Sequence, residues 1–110
     1  MSYENDEILC SASRYTEKYY FNPKFNNLPK RIQDELKVAC VLFTQQVGGV
    51  IMLYYDKEGN LDILTQSNED DLLYDEIGCG LKVKRLQIEK RELFEQLEQY
   101  YELFFGEPED

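Results

Sequence analysis

Cys79 is the side chain in this sequence whose surroundings most favour chemistry. It lies between Gly78 and Gly80, and three of the four residues 82–85 carry a positive charge. Nearby cations and a helix N-terminus both lower the pKa of a thiol, so this segment is a candidate site for a reactive or redox-sensing thiol. The competing interpretation is a core position, because free cysteine is among the most buried residue types and no base lies close in the sequence.

A cluster of carboxylates precedes this thiol. Its members are Glu69, Asp70, Asp71, Asp75 and Glu76. Oxygen ligands of this kind suit a divalent cation, and paired carboxylates can exchange protons with a substrate. Acids are also common in the first turn of a helix, and only residues three or four apart share a helix face. The second explanation is the simpler one, so we expect no metal here.

The chain contains no histidine. It therefore supplies neither a Ser-His-Asp nor a Cys-His mechanism, and no histidine-ligated metal site. Cys10, Cys40 and Cys79 are 30 and 39 residues apart, so no C-x-x-C pair is present, and Cys10 and Cys40 fit apolar faces of core elements. No glycine pair is followed by the Gly-Lys-Ser/Thr of a phosphate loop. These patterns predict neither a cofactor nor a catalytic residue.

Aromatic residues crowd the C-terminal segment. They are Phe94, Tyr100, Tyr101, Phe104 and Phe105. At helical spacing such residues usually fill a core, but adjacent pairs point in different directions on a helix. Part of the set is therefore a candidate interface with a protein partner.

The net charge of −10 is distributed unevenly along the chain. Residues 1–66 hold nine acids and seven bases, whereas residues 67–79 hold five acids and no base. Residues 80–91 then hold five bases and one acid, and residues 92–110 hold seven acids and no base. Acidic blocks on both sides of the basic one disfavour nucleic acid as a partner. We expect these bases to pair with acidic helix faces, either within the chain or across a dimer.

Apolar periodicity predicts an α+β fold with two layers. Pro29 opens a helix over about 29–46, and a hairpin of two strands with a turn at 56–60 occupies about 49–66. Further helices are predicted over about 69–78 and 81–105, with a break at the glycines of 78–80 or near 88–90. Residues 7–12 indicate a strand, and residues 18–21 indicate either its hairpin partner or a helical turn. Amphipathic helices would thus pack on a small antiparallel sheet.

The length and the polar start of the chain bear on its location. One domain over 1–110 fits the length, with short disordered acidic ends at 1–5 and 107–110. No secretory signal precedes the polar residues 1–7, and the apolar runs are too short to span a membrane. Three cysteines, an odd number, favour reduced thiols. We therefore expect a cytoplasmic protein.

Five segments carry a resemblance to a known family. They are LCSA (9–12), KYYFNP (18–23) with Phe25, CVLFT (40–44) with VGG (47–49), LYDEIG (73–78) and ELFEQLE (92–98). Together they resemble a family of short uncharacterised proteins of Gram-positive anaerobic bacteria, which is classed as a domain of unknown function. The resemblance covers nearly the whole chain and implies an intact cytoplasmic bacterial domain without an assigned activity.

These observations favour binding over catalysis. We expect a non-catalytic protein-interaction or regulatory module that acts through its C-terminal helix and acidic surface. A homodimer is one of the forms that we expect for it. One alternative is an acidic inhibitor or immunity-type protein that masks a basic partner. The other is a small enzyme or redox sensor that uses Cys79 or the carboxylates of 69–76.

Overall fold

The computed structural model of this chain describes residues 7–106. Its elements in chain order are β1 (Glu7–Ser13), β2 (Lys18–Phe21), a short 3-10 helix (Pro23–Phe25), α1 (Lys30–Val47), β3 (Val50–Tyr55), β4 (Leu61–Gln66), α2 (Glu76–Glu89) and α3 (Arg91–Phe105). The acidic ends that the sequence predicts to be disordered, at 1–5 and 107–110, lie outside the described residues.

The strands form one antiparallel sheet in the order β2-β1-β3-β4. Side chains alternate across it, so Ile51, Leu53 and Tyr55 of β3 are buried, while the residues between them are partly exposed. The helices supply the second layer on the buried face, which confirms the predicted α+β class. The β3–β4 hairpin also confirms the one predicted over 49–66, and β2 settles residues 18–21 as the hairpin partner of β1.

Helix α1 packs against the centre of the sheet. Its buried residues include Ile32, Leu36, Cys40 and Phe43, spaced three or four apart as the sequence predicts. The helix ends where Gly48 adopts a φ of 87°, a conformation that glycine reaches without strain. The predicted helix over 29–46 is therefore confirmed to within one residue at each end.

Helix α3 is hydrogen-bonded to the end of the β3–β4 hairpin. Leu93 and Leu97 are buried, and the hydroxyl of the fully buried Tyr55 donates to the Leu97 carbonyl at 2.9 Å. The carboxylate of Glu98 accepts the backbone N–H of Leu61 at 2.9 Å. These contacts hold α3 against the strands β3 and β4.

The helix predicted over 69–78 is wrong in most of its length. Residues 67–75 form a series of turns, and α2 begins only at Glu76. The hydroxyl of Tyr15 accepts the backbone N–H of Asn68 at 2.9 Å and donates to a carboxylate oxygen of Asp71 at 2.7 Å. The other carboxylate oxygen of Asp71 accepts the backbone N–H of Leu73, a local bond that competes with helix formation.

The interruption predicted at the glycines is also wrong, because Gly78, Cys79 and Gly80 all lie within α2. The break falls at the second predicted position. Lys90, with φ −107° and ψ 21°, separates α2 from α3, so the segment predicted over 81–105 consists of two helices.

Candidate functional site

The loop before α2 turns its leucines outward. The ring of Tyr74 lies over Gly48 and Gly49, so closely that a Cβ added to Gly49 would come within 2.7 Å of the ring. Together with the bonds from Tyr15, this contact holds the loop against the sheet. Leu72 and Leu73 are left 93% and 95% exposed.

Helix α2 carries apolar side chains on two opposite faces. Cys79 is buried, and Val83 and Leu86 pack partly buried against the core. On the opposite face, at steps of four and seven residues, large aliphatic side chains meet solvent. They are Ile77, Leu81 and Ile88, which are 79%, 65% and 69% exposed. A helix of an isolated globular domain usually has one apolar face, so the second one is unusual.

We call these three residues and the two exposed leucines of the preceding loop the α2 outer surface. In a helix over 69–78, Leu72, Leu73 and Ile77 would form one apolar stripe, but the structure leaves all three exposed. The misplaced helix start is the reason, because the register of a helix decides which side chains face the core.

Charge on this part of the chain is mostly unpaired. Lys90 forms an ion pair with Glu35 of α1 at 2.9 Å, and Lys82 donates to the side chain of Gln46 at 3.3 Å. Among residues 7–106, no ion pair includes Lys84, Arg85 or Arg91, or any acid of residues 69–76. Within the part of the chain that the structure describes, the predicted pairing of the basic block with acids of the same chain is seen for Lys90, and pairing across a dimer stays a prediction.

The candidate thiol Cys79 lies inside the domain, with only 3% of its surface exposed. The hydroxyl of Tyr74 donates to its sulfur at 2.8 Å. Burial, followed by this hydrogen bond, raises the pKa of Tyr74 to about 12. Both groups border a cleft at the end of β4.

The other two thiols form a buried pair. The sulfur atoms of Cys10 and Cys40 are 3.9 Å apart, and both residues are fully buried, as the sequence predicts for core cysteines. The hydrogen bond to Cys10 and burial raise the pKa of the Cys40 thiol. Burial, with the neighbouring Cys10 thiol, also raises the pKa of Tyr19. The neutral form of the Cys40 thiol is therefore favoured.

The aromatic candidates of α3 are mostly internal. Tyr101 stacks on Tyr55 with ring centroids 4.1 Å apart, and Phe105 meets Phe25 edge-on at 5.4 Å. Phe94 and Tyr100 are also partly buried against the core, and the Tyr100 hydroxyl donates to the side chain of Asn27. Of the five, Phe104 alone is largely exposed, at 61%.

The sequence matches a protein-family model over most of its length. The model of the family of unknown function DUF6145 matches residues 6–109. The chain belongs to this family. The resemblance to a domain of unknown function is thereby confirmed across nearly the whole sequence, and searches of curated proteins and of solved structures found no match. Because the function of the family is unknown, the surfaces of this DUF6145 member are the evidence for its function.

An acidic groove lies between the β3–β4 turn and α3. It encloses about 870 Å³ and is lined by carboxylates from both elements. They are Glu58, Glu95, Glu98 and Glu102. Glu58, Glu95 and Glu102 are exposed, whereas Glu98 is partly buried and accepts the Leu61 N–H.

The carboxylates of 69–76 do not converge. Within the described ranges, no three His, Cys, Asp or Glu side chains are placed so that they could hold one metal ion. Asp71 is engaged by Tyr15, and its hydrogen bond raises the pKa of that phenol.

No helix among residues 7–106 has the length and apolarity to cross a membrane.

The structure thus separates the residues that the sequence singled out. Cys79 is buried and four of the five α3 aromatics are partly buried, whereas the carboxylates of 69–76 lie on the loop before α2 and on its first residue. That surface contains Leu81 and Ile88, which the sequence analysis did not select. The signal was present as Ile77, Leu81 and Ile88 at helical spacing, opposite a second apolar stripe.

Proposed function

We propose that this DUF6145 member is a non-catalytic protein-interaction module of the cytoplasm and that it binds through the α2 outer surface. One observation carries the proposal. Five large aliphatic side chains are at least 65% exposed on one short stretch of chain, residues 72–88. Single exposed leucines are ordinary, but several large aliphatic side chains exposed together on one segment are typical of a protein-binding site.

The state of the thiols supports binding over redox chemistry. Cys79, the best candidate nucleophile, is buried and hydrogen-bonded to Tyr74, and all three cysteines are free. Free buried thiols fit a reducing compartment. The resemblance to proteins of Gram-positive anaerobic bacteria supports the same location.

Affinity capture with a matched pair of variants tests the proposal. Leu81→Glu places a charge at the centre of the α2 outer surface. Leu103→Glu makes the same chemical change on α3, where Leu103 is 82% exposed. We expect wild type and Leu103→Glu to retain the same bound protein after crosslinking in the native cell, and Leu81→Glu to lose it. Equal recovery by all three forms would contradict the proposal.

The acidic groove favours a second candidate function, that of an inhibitor or immunity-type protein for a basic partner. Three solvent-facing carboxylates line it, namely Glu58, Glu95 and Glu102. Binding of this kind weakens as salt rises, because exposed charges are screened within about 8 Å at physiological ionic strength. A complex that survives Glu95→Gln/Glu102→Gln unchanged, with no dependence on salt, would exclude this candidate.

A further inference from the structure

We propose that the α2 outer surface binds a second copy of this chain, with the two α2 helices antiparallel across a twofold axis. This inference rests on the proposed function, because it names the partner of the same surface. It depends on two properties of α2 that are independent of each other. One is the apolar face of the helix, and the other is the order of charges along the chain.

The charges along this stretch are separated by sign, and among the described residues 7–106 all of them except Lys90 lack an ion-pair partner. The loop and first turn, residues 69–76, carry five acids, whereas residues 82–91 carry five bases and one acid. Of those bases, Lys90 has an ion-pair partner inside the described chain, on α1. The acidic end and the basic end of this segment therefore do not neutralise each other within one molecule.

An antiparallel partner resolves this imbalance. A twofold axis near the middle of α2 brings the acidic end of each chain beside the basic end of the other, so that both pairs of ends attract. A parallel arrangement would place acids beside acids and bases beside bases. The charge pattern is thus self-complementary in one orientation, and a second copy is the partner that is certain to carry the matching pattern.

The apolar face fits the same orientation. Ile77, Leu81 and Ile88 run along the side of α2 opposite the buried Cys79. In a twofold antiparallel pair, Leu81 lies close to the axis, and the flanking isoleucines extend toward the two ends. Gly80 adjoins this line with no atom within 4 Å of where a Cβ would stand, so the partner helix can approach closely. The apolar centre and the charged ends together resemble the core and rim of an interface.

Sedimentation velocity over a dilution series, with charge-reversed variants, tests the proposal. The basic ends become acidic in Lys84→Glu/Arg85→Glu, and the acidic ends become basic in Glu69→Lys/Asp70→Lys. Lys18→Glu/Lys37→Glu is the control, since it changes the net charge as the first variant does but lies on β2 and α1. All these residues are exposed, so each variant should keep the wild-type circular dichroism.

We expect a concentration-dependent dimer for wild type and for the control. Each reversed variant alone should have a dimer dissociation constant raised about 100-fold, because like charges then meet at both ends. Mixing the two reversed variants should restore a heterodimer within about threefold of wild-type affinity, because their ends attract again. Leu81→Glu should abolish dimers without altering charge order, which tests the apolar centre separately.

Several results would overturn the proposal. They are a wild-type monomer at every concentration, dimers of the reversed variants as tight as wild type, and a mixture that fails to recover association. If the chain is monomeric but Leu81→Glu still loses a captured protein that Leu103→Glu retains, the self-association is wrong and the interaction module stands. If neither self-association nor capture depends on Leu81, both proposals fail.

Discussion

Gly49 and Gly80 should respond in opposite directions to the same substitution by alanine. Gly49 precedes β3 with a φ of 69°, and an added Cβ would lie 2.5 Å from the carbonyl oxygen of Gln66 and 2.7 Å from the ring of Tyr74. The left-handed conformation costs about 1–2 kcal/mol for a residue with a Cβ. Forcing a methyl group against a backbone carbonyl adds about 1–3 kcal/mol. Gly49→Ala should therefore lower the free energy of unfolding by about 2–5 kcal/mol.

Gly80→Ala should instead raise the free energy of unfolding, by about 0.5–1 kcal/mol, because alanine is the better helix former. Gly80 lies inside α2, and nothing is within 4 Å of the added methyl. The two substitutions add the same atoms, so the comparison isolates backbone conformation and local space.

Urea unfolding followed by circular dichroism measures both effects, on protein dilute enough to be monomeric. With a urea slope of about 1–3 kcal/mol/M, the Gly49→Ala midpoint should fall by about 1 M or more. The Gly80→Ala midpoint should rise by a few tenths of a molar. A neutral Gly49→Ala would refute the close packing of Tyr74 on this turn, and a Gly80→Ala that is strongly destabilising would refute the continuous α2.

Three further outcomes follow from buried polar groups. Tyr55→Phe should cost about 0.5–1.5 kcal/mol in urea unfolding through the lost bond to the Leu97 carbonyl, and an unchanged midpoint would show that the bond contributes nothing. Cys79 should react with an alkylating reagent more slowly than a model thiol across pH; a rate above the model thiol would contradict its burial. Burial and a bonded carboxylate raise the pKa of Tyr101 from 10.0 to about 12, so folding favours the neutral phenol: its stabilisation is full below pH 10 and is lost toward pH 12. A wild-type melting temperature that stays constant through this pH range, with the same pH dependence in Tyr101→Phe, would contradict that linkage.

Local patterns predicted the part of the fold that local interactions determine. The turn chemistry of 56–60 and the alternation around it specify the β3–β4 hairpin, and the apolar spacing after Pro29 specifies α1. Both depend on residues close in sequence. The predicted boundaries accordingly agree with the structure.

The start of α2 could not be predicted in the same way, because a distant residue decides it. Tyr15 bonds to Asn68 and to Asp71, which are 53 and 56 residues away in the chain. These bonds stabilise a loop where the acids alone suggest a helical turn. Further on, the packing of Cys79 outweighs the low helix propensity of the glycines on each side of it.

The candidate interface in the structure differs from the predicted one because it too depends on contacts between residues distant in sequence. The aromatic residues of α3 are conspicuous by type, but residues distant in sequence, such as Tyr55 and Phe25, pack against Tyr101 and Phe105. Leu81 and Ile88 are ordinary residues by type and are distinguished only by exposure. Exposure depends on which helix face the core takes, and that required the register of α2.

The central claim, that the α2 outer surface is where this chain binds protein, has a direct test in residue-resolved NMR on dilution. Amide and methyl signals of wild-type protein are recorded across a concentration series. We expect the concentration-dependent shifts to concentrate at Leu73, Ile77, Leu81 and Ile88 and to vanish in Leu81→Glu. Shifts that map instead to the acidic groove would contradict the claim. Spectra that change neither with concentration nor on addition of a captured partner would also contradict it.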